Sequence, residues 1–359
     1  MGRAIILGGT GVIGLAVARR LVEAGWDVEV AARDPSRMPA DLLAAGASFT
    51  AFERHDAAGL AAVLSPGADL LVDCLAYTGA DARLVVPHLG GVGSTAMLSS
   101  KAVYVDAEGR HVNSPHAPRF MAAIREDDPV MTPRHINHRS AEGYGSNKVA
   151  AEQAYLDSGH PVSVIRASKV HGVGALPARE WHVVRRVLDR RGAILLRAPH
   201  AVNHTSAAAN IAALIRVVAE VPGARILNSA DPEAPSVVEI VRTIAARLGH
   251  EWQEVVPDPA DDRLGRTPWD ASAPIVLDLS AALELGYRPV GDYATTTRLP
   301  TGGGLCHHGG SHRRLAGGRG ETPRYRVGAA DGLLRGRLRL RGRGPVPDSA
   351  ALGIRAPGP

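Results

Sequence analysis

Tyr144 and Lys148 stand in Gly143-Tyr144-Gly145-Ser146-Asn147-Lys148, at the head of a helical run through Val149, Ala150, Ala154 and Tyr155. A spacing of four puts both side chains on one helix face, one turn apart. A tyrosine hydroxyl titrates near ~10 in isolation, and a neighbouring ammonium favours its anionic form. The pair therefore suits proton transfer to or from a carbonyl oxygen. Upstream, Leu98-Ser99-Ser100 ends an apolar stretch and offers a hydroxyl to hold that oxygen. Each signal alone is ordinary: Y-x-x-x-K arises by chance, and serines end strands routinely. Their occurrence together, in this order behind a glycine-rich turn, gives them weight.

That turn is Gly8-Gly9-Thr10-Gly11-Val12-Ile13-Gly14. Its three glycines at G-x-x-G-x-x-G spacing follow a predicted strand and open a predicted helix, Val12–Ala24. Glycine lets the backbone turn sharply and lets a pyrophosphate approach main-chain N–H groups that a Cβ would block. The helix N-terminus adds a favourable dipole for that charge. Between strand and helix, the motif signals a dinucleotide site.

The elements that must position these residues alternate. Strands are expected at Ala4–Leu7, Asp27–Ala31, Ser48–Phe52, Leu70–Cys74, Ser94–Leu98 and Val162–Ile165. Helices are expected at Val12–Ala24, Ala40–Ala45, Ala57–Leu64, Ala80–Leu89 and Ala141–Asp157. Strands separated by helices imply β-α-β units and an α/β fold with a doubly wound parallel sheet. In such sheets ligands sit beyond the carboxyl ends of strands. The glycine turn, Asp56, Ala76, Ser100 and Ala167 all fall there, on one expected crevice. Beyond Lys169 the pattern mixes helices (178–190, 207–219 and 237–248) with short strands at 193–196 and 225–227.

These motifs resemble the short-chain dehydrogenase/reductase superfamily, in particular its extended, sugar-nucleotide epimerase/dehydratase-like branch, from Ile5 to about Tyr293. The branch's glycine motif is present as Gly8, Gly11 and Gly14, and its catalytic Tyr and Lys match Tyr144 and Lys148. Its catalytic Ser/Thr, four residues before the tyrosine of a Val-Tyr pair, matches Ser100 in Ser100-Lys101-Ala102-Val103-Tyr104. Its R-x-x-x-V-Y-G segment reads here as Arg166 to Gly172, and the blocks 228–233 and 236–240 also look like its C-terminal half. The resemblance implies a Rossmann-type dinucleotide-binding domain over 1–168. A smaller C-terminal substrate-binding lobe, partly interleaved with the sheet, would span 169–297. Ser100 would orient the substrate oxygen, Tyr144 would exchange its proton, and Lys148 would bind the nicotinamide ribose. Thr10, Val12 and Ile13 share the glycine turn's cofactor role, and Asp56 would contact the adenine edge or else cap the helix at Ala57.

The departures are informative. The family's dehydratases carry an acidic pair after the Ser/Thr, to protonate a leaving hydroxyl, whereas this chain has Lys101 and Ala102. Sugar dehydration is therefore disfavoured. Val105 replaces a usual glycine, His171 a common tyrosine, and Ser206 a usual aspartate. The long interval from Ser100 to Tyr144 holds a Pro-, His-, Arg- and Asp-rich insertion, roughly 106–139, expected to form a loop or lid beside the substrate. Its His111, His116, His135 and His138 lack helical pairing or a cysteine partner, which disfavours a metal site. His171 is open to either substrate contact or packing, and Arg166 is expected in a structural ion pair.

Cofactor choice turns on the end of the second strand. An Asp or Glu there would bond a ribose 2′-hydroxyl, but the position is Ala32, followed by Arg33 and, nearby, Arg37. A guanidinium fits a 2′-phosphate, so NADP(H) is favoured over NAD(H), which stays open.

Composition bounds the rest. The 359 residues can bury a large core. Two cysteines give no disulfide framework and fit a reducing cytoplasm, with no signal peptide and no membrane span expected. The net charge of +5 misleads, because residues 301–359 hold 11 Arg and three acids, a balance of +8 that leaves residues 1–300 near −3. The segment 298–359 is glycine- and arginine-rich and expected to be disordered. Nucleic-acid binding would concern that tail alone. With 38 Arg against three Lys in the chain, a shifted reading frame in a GC-rich gene is the preferred origin of the tail.

The sequence thus points to an NADP(H)-dependent oxidoreductase interconverting a carbonyl and a secondary hydroxyl on a small metabolite, a nucleotide sugar being one candidate. An epimerase with no net redox change is the near alternative, and a non-catalytic dinucleotide sensor the distant one. A homodimer paired through a helix bundle that includes the Tyr–Lys helix is common in the family and stays open here.

Overall fold

The computed structural model describes residues 2–258 and 263–297. The Gly/Arg-rich segment 298–359 lies outside the described residues. The first half runs β1 (Arg3–Leu7), α1 (Val12–Glu23), β2 (Asp27–Ala32), α2 (Ala40–Ala44), β3 (Ser48–Ala51), α3 (Ala57–Leu64), β4 (Ala68–Asp73), α4 (Gly79–Val85), β5 (Val92–Ser100), α5 (Ala141–Leu156) and β6 (Val162–Ala167). The second half contains β7 (Lys169–His171), α6 (Trp181–Leu188), β8 (Ala193–Leu195), β9 (Thr205–Ala207), α7 (Ala208–Glu220), β10 (Arg225–Ser229), α8 (Val237–Arg247), β11 (Gln253–Val255), α9 (Ser280–Glu284) and α10 (Tyr293–Thr296).

Seven strands form one parallel sheet in the order β10-β6-β5-β4-β1-β2-β3. This is the Rossmann-type doubly wound arrangement expected from the sequence, with the order reversing between β1 and β4. Alternation along β1 shows why the sheet is covered on both faces. Ala4 and Ile6 join one core with Val17, Leu21, Ile211 and Leu214 under α1 and α7, while Ile5 and Leu7 join the other with Leu60, Val63, Val85 and Tyr155 under α3, α4 and α5.

Several expected boundaries move for local reasons. The helix expected over 80–89 is α-helical only to Val85, and Pro87 begins a tighter turn over Val86–Gly91. The helix expected over 178–190 is confined to Trp181–Leu188. The strand expected over 225–227 extends to Ser229 and completes the main sheet beside β6, so the second half is woven into the first. A separate small core of Val184, Ile194, Val237, Ile240 and Trp269 packs α6, β8 and α8 together.

The insertion over 106–139 contains no helix and no named strand, as expected of a loop, but it is firmly anchored. Ile124 is buried and exchanges main-chain hydrogen bonds with Val276 and Asp278. The Asp106 carboxylate accepts from the Glu108, Arg110 and Arg119 amides and from the Arg110 guanidinium. Burial works against that carboxylate, yet the hydrogen bonds win and hold its pKa down at about 2.

Candidate active site

The glycine turn leaves β1 at the point where strand order reverses. Gly14 is required by close approach: a Cβ there would stand 2.5 Å from the Gly9 Cα, with backbone that cannot give way. α1 begins at Gly11 without a side-chain cap and without an acidic residue in its first turn. By contrast α3, α4 and α5 are capped by Asp56, Thr78 and Ser140. The first amides of α1 thus have no side-chain acceptor of their own, the condition an incoming pyrophosphate needs.

Beside that turn opens a cavity of about 650 Å³. Gly8, Thr10, Gly11, Arg33 and Arg37 line it, together with Ala32, Glu53, Tyr77 and His138. Arg33 is exposed and 3.9 Å from Glu53, while the Asp34 carboxylate is occupied by the Ser36 amide and hydroxyl. Other residues of the expected cofactor set stand elsewhere. Ile13 packs toward the core and Val12 faces the groove near Gly172. Asp56 is not among the lining residues, and its carboxylate accepts from the Ala58 amide, so of its two open roles the structure displays the helix cap. Ala76 and Ala167 are buried at the carboxyl ends of β4 and β6, Ala167 in register with Ser100. The uncapped amides of the turn and the arginines of the cavity offer donors suited to phosphate groups.

Ser100 is the last residue of β5, and its hydroxyl accepts from the Ala102 amide at 3.2 Å. α5 lies hard against this turn. A Cβ on Gly145 would stand 2.3 Å from the Ala102 carbonyl oxygen, so only glycine lets the helix approach. That approach brings Tyr144 near Ser100, whose hydroxyl favours the charged form of the tyrosine. Lys148, one turn on, is buried and donates to the carbonyls of Ala76 at 2.9 Å and Leu98 at 2.8 Å. Its ammonium also sits 4.6 Å from the centre of the Tyr77 ring.

One expectation fails here. Lys148 was expected to draw the Tyr144 pKa down, but its ammonium is held by two carbonyls. Burial instead raises the Tyr144 pKa above the ordinary value, with the Ser100 hydrogen bond pulling it back. Burial likewise lowers Lys148 to about 8, against the charges of Asp73 and Glu152.

Arg166 forms the expected ion pair, bonding Glu152 at 2.7 Å with both groups buried. The same carboxylate accepts from Ser99, tying β5, α5 and β6 together beneath the site. His171 packs against Tyr293 and bonds Asp231. Three groups escaped the sequence reading. Tyr77 bridges Lys148 and the cavity, and stacks on His138 from the insertion. Buried Arg54 pairs with Asp73 at 2.7 Å under the turn. Asp231 supplies a carboxylate to the start of α7, where Ser206 had replaced the usual aspartate. No short spacing marks these long-range pairs.

Residues 4–89 match the NAD dependent epimerase/dehydratase family. No curated protein matches the chain in sequence. Among solved structures, a putative epimerase from Burkholderia cenocepacia is 21% identical, over 82% of this chain and 95% of its own, with a TM-score of 0.63. UDP-glucose-4-epimerase from Stenotrophomonas maltophila, with bound NAD, is 16% identical over 82% and 96%, with a TM-score of 0.63. The dTDP-glucose 4,6-dehydratase of Bacillus anthracis, in complex with NAD, is 14% identical over 82% and 94%, with a TM-score of 0.61. The likeness shows that these structures and the described body of the chain share a fold. Among the described residues no helix is long and apolar enough to cross a membrane.

Proposed function

We propose that this chain is an NADP(H)-dependent oxidoreductase interconverting a carbonyl and a secondary hydroxyl on a small, hydroxylated metabolite such as a nucleotide sugar. The observation that carries this reading is the convergence of Ser100, at the end of β5, with Tyr144 and Lys148 of α5, where the Lys148 ammonium bonds the Leu98 carbonyl two residues before Ser100. A bound nicotinamide would supply the hydride acceptor or donor. The amides around Gly11, Val12 and Ile13 would hold its pyrophosphate, and Arg33 and Arg37 a 2′-phosphate. Tyr144 would exchange a proton with the substrate oxygen, which Ser100 would orient. Its raised pKa keeps the hydroxyl protonated at neutral pH, ready to donate toward a carbonyl. Lys148 would fix the floor of the site by tying the ends of β4 and β5, with the nicotinamide ribose within its charge.

The arginines at the end of β2, where a ribose-binding acid would stand, support NADP(H), against the Asp34 and Glu53 carboxylates that share the cavity. The neighbours cited above that carry NAD keep an epimerase as the second reading, with hydride leaving and returning to one substrate. Denaturing the purified protein and identifying any released dinucleotide by mass and absorbance tests both. Tightly retained NAD would favour the epimerase and overturn the role given to Arg33. An empty protein that binds NADPH more tightly than NADH supports the oxidoreductase.

A further inference from the structure

This chain uses arginine for nearly every cation, with 38 Arg against three Lys. Lys148 belongs to the candidate active site, and the other two lysines, Lys101 and Lys169, line a single cavity of about 530 Å³. Arginine and lysine differ in what they do. A guanidinium is a broad planar fork, whereas an ammonium is a compact point charge that fits a narrow space.

Lys101, in the cavity wall, is the neighbour in sequence of the candidate catalytic serine. Ser100 ends β5 and Lys101 is the next residue. Ser100 stands in register with Ala167 at the end of β6, and Lys169 follows two residues later in β7. Both lysines therefore leave the same carboxyl edge of the sheet that presents Ser100. Arg197, Asn203, Arg266 and Asp270 also line it, as do residues of the 106–139 insertion, so that the wall carries four cationic side chains and one carboxylate.

Among the described residues neither lysine has a carboxylate at ion-pair distance. Lys101, only 6% exposed, donates to the neutral amide oxygen of Asn203. Burial lowers its pKa well below the ordinary value, and the charges of Lys169 and Arg179 add to that. Burial and Arg179 lower Lys169 to about 8, with Asp270 opposing. Lys101 is buried and Lys169 partly so, and an anion in the cavity would offset the cost of their charged forms.

We propose that Lys101 and Lys169 form an anion-binding subsite for the substrate, so that the metabolite carries a carboxylate or phosphoryl group close to the carbon held at Ser100 and Tyr144. This deepens the oxidoreductase reading and rests on it for the word substrate. The shared chemistry is a compact anion with several acceptor oxygens, matched by two ammonium groups and the Asn203 amide. The position of Lys101 beside the serine keeps that anion near the reacting part of the molecule. The acidic pair of the family's dehydratases would repel it from the same place.

The test is isothermal titration of the purified full chain with malonate and, separately, with inorganic phosphate. Wild type is compared with Lys101→Gln and Lys169→Gln, and dinucleotide binding is measured on the same preparations. Partly exposed Lys169 guards against a Lys101 variant that fails to fold, and melting temperatures identify such a failure. We expect wild type to bind at least one probe and each variant to bind it about tenfold more weakly or worse, as expected for lost charge-assisted hydrogen bonds. A preference for malonate assigns a carboxylate, and a preference for phosphate a phosphoryl group. Phosphate held at Arg33 and Arg37 would not respond to either lysine. Binding equal in wild type and Lys169→Gln, or no binding of either probe to wild type, overturns the subsite. Lysine-dependent anion binding with no dinucleotide binding would instead refute the oxidoreductase reading while the subsite stands.

Discussion

The Nε2 of His171 lies 2.8 Å from the Asp231 carboxylate, which is completely buried and also accepts from the Thr205 hydroxyl, the Ala207 amide and the Asn210 side chain. Asp231 follows β10, whereas Ala207 precedes α7, so the carboxylate joins two elements at the start of a helix. Burial pushes its pKa up, but hydrogen bonding and charge from His171, with the bonds of Thr205 and Ala207, outweigh it and leave the pKa below the ordinary value. Its stabilisation is therefore complete above the ordinary carboxylate range and lost as acid protonates it below that range. Asp231→Ala leaves several buried donors unmatched and should cost about 3–5 kcal/mol. Urea unfolding would measure this, and a loss within error of zero would refute the account.

Tyr144→Phe removes one oxygen and keeps the ring that packs on the Ser100 turn. If Tyr144 exchanges the substrate proton, turnover should fall by about 10²–10⁴-fold, the usual worth of general acid–base catalysis. Dinucleotide affinity should stay unchanged, because Tyr144 is not among the lining residues of the glycine-turn cavity. Fluorescence titration alongside steady-state rates separates the two effects. Full activity in this variant would remove Tyr144 from the mechanism.

The sheet was legible because its determinants are local: short apolar strands, helices between them, and a glycine turn after the first. The helix Ala57–Leu64 matches its expected bounds, since Asp56 caps it and the glycine of Gly67 follows its end. Ser100 could be named because it closes β5, and Tyr144 and Lys148 because they stand one turn apart in α5. What stayed hidden depends on contacts between distant segments. Asp231 replaces an aspartate expected at Ser206, 25 positions earlier, and only the fold brings its carboxylate to the same helix start. Tyr77 and His138, distant in sequence, stack in the wall of a cavity that no sequence spacing describes. The electrostatics of Tyr144 were misjudged because the carbonyls of Ala76 and Leu98, which claim the Lys148 ammonium, carry no residue signature.

Arg33 offers a test of cofactor choice on an exposed side chain with little structural duty. Its Glu53 contact at 3.9 Å is long and solvent-screened, so Arg33→Ser should leave the melting temperature within about 1 °C. If the guanidinium holds a 2′-phosphate, NADPH should bind about tenfold more weakly in the variant while NADH affinity holds. Equal weakening of both dinucleotides would show that Arg33 acts on some shared part of the cofactor. No change for either would withdraw the preference for NADP(H).

Lys148 ties activity and stability to pH with opposite signs. Burial lowers it to about 8, against the pull of Asp73 and Glu152, so its ammonium is charged below that pH and neutral above. The Ala76 and Leu98 carbonyls then lose a charged donor, and so would the ribose of the proposed cofactor. The ratio kcat/KM, which reports groups in the free enzyme, should therefore fall as pH rises through about 8. Stability should move the other way. An unfolded lysine titrates near ~10.4, so between about 8 and that value the unfolded chain binds more protons than the native one. Under that condition raising the pH favours the native state, and Lys169, also lowered to about 8, adds to the trend. Urea midpoints should rise over this window while activity declines, and Lys148→Met should flatten the rise without abolishing it. Activity and stability falling together above pH 8 would mean that the alkaline loss is unfolding and that the lysine charge does not limit catalysis.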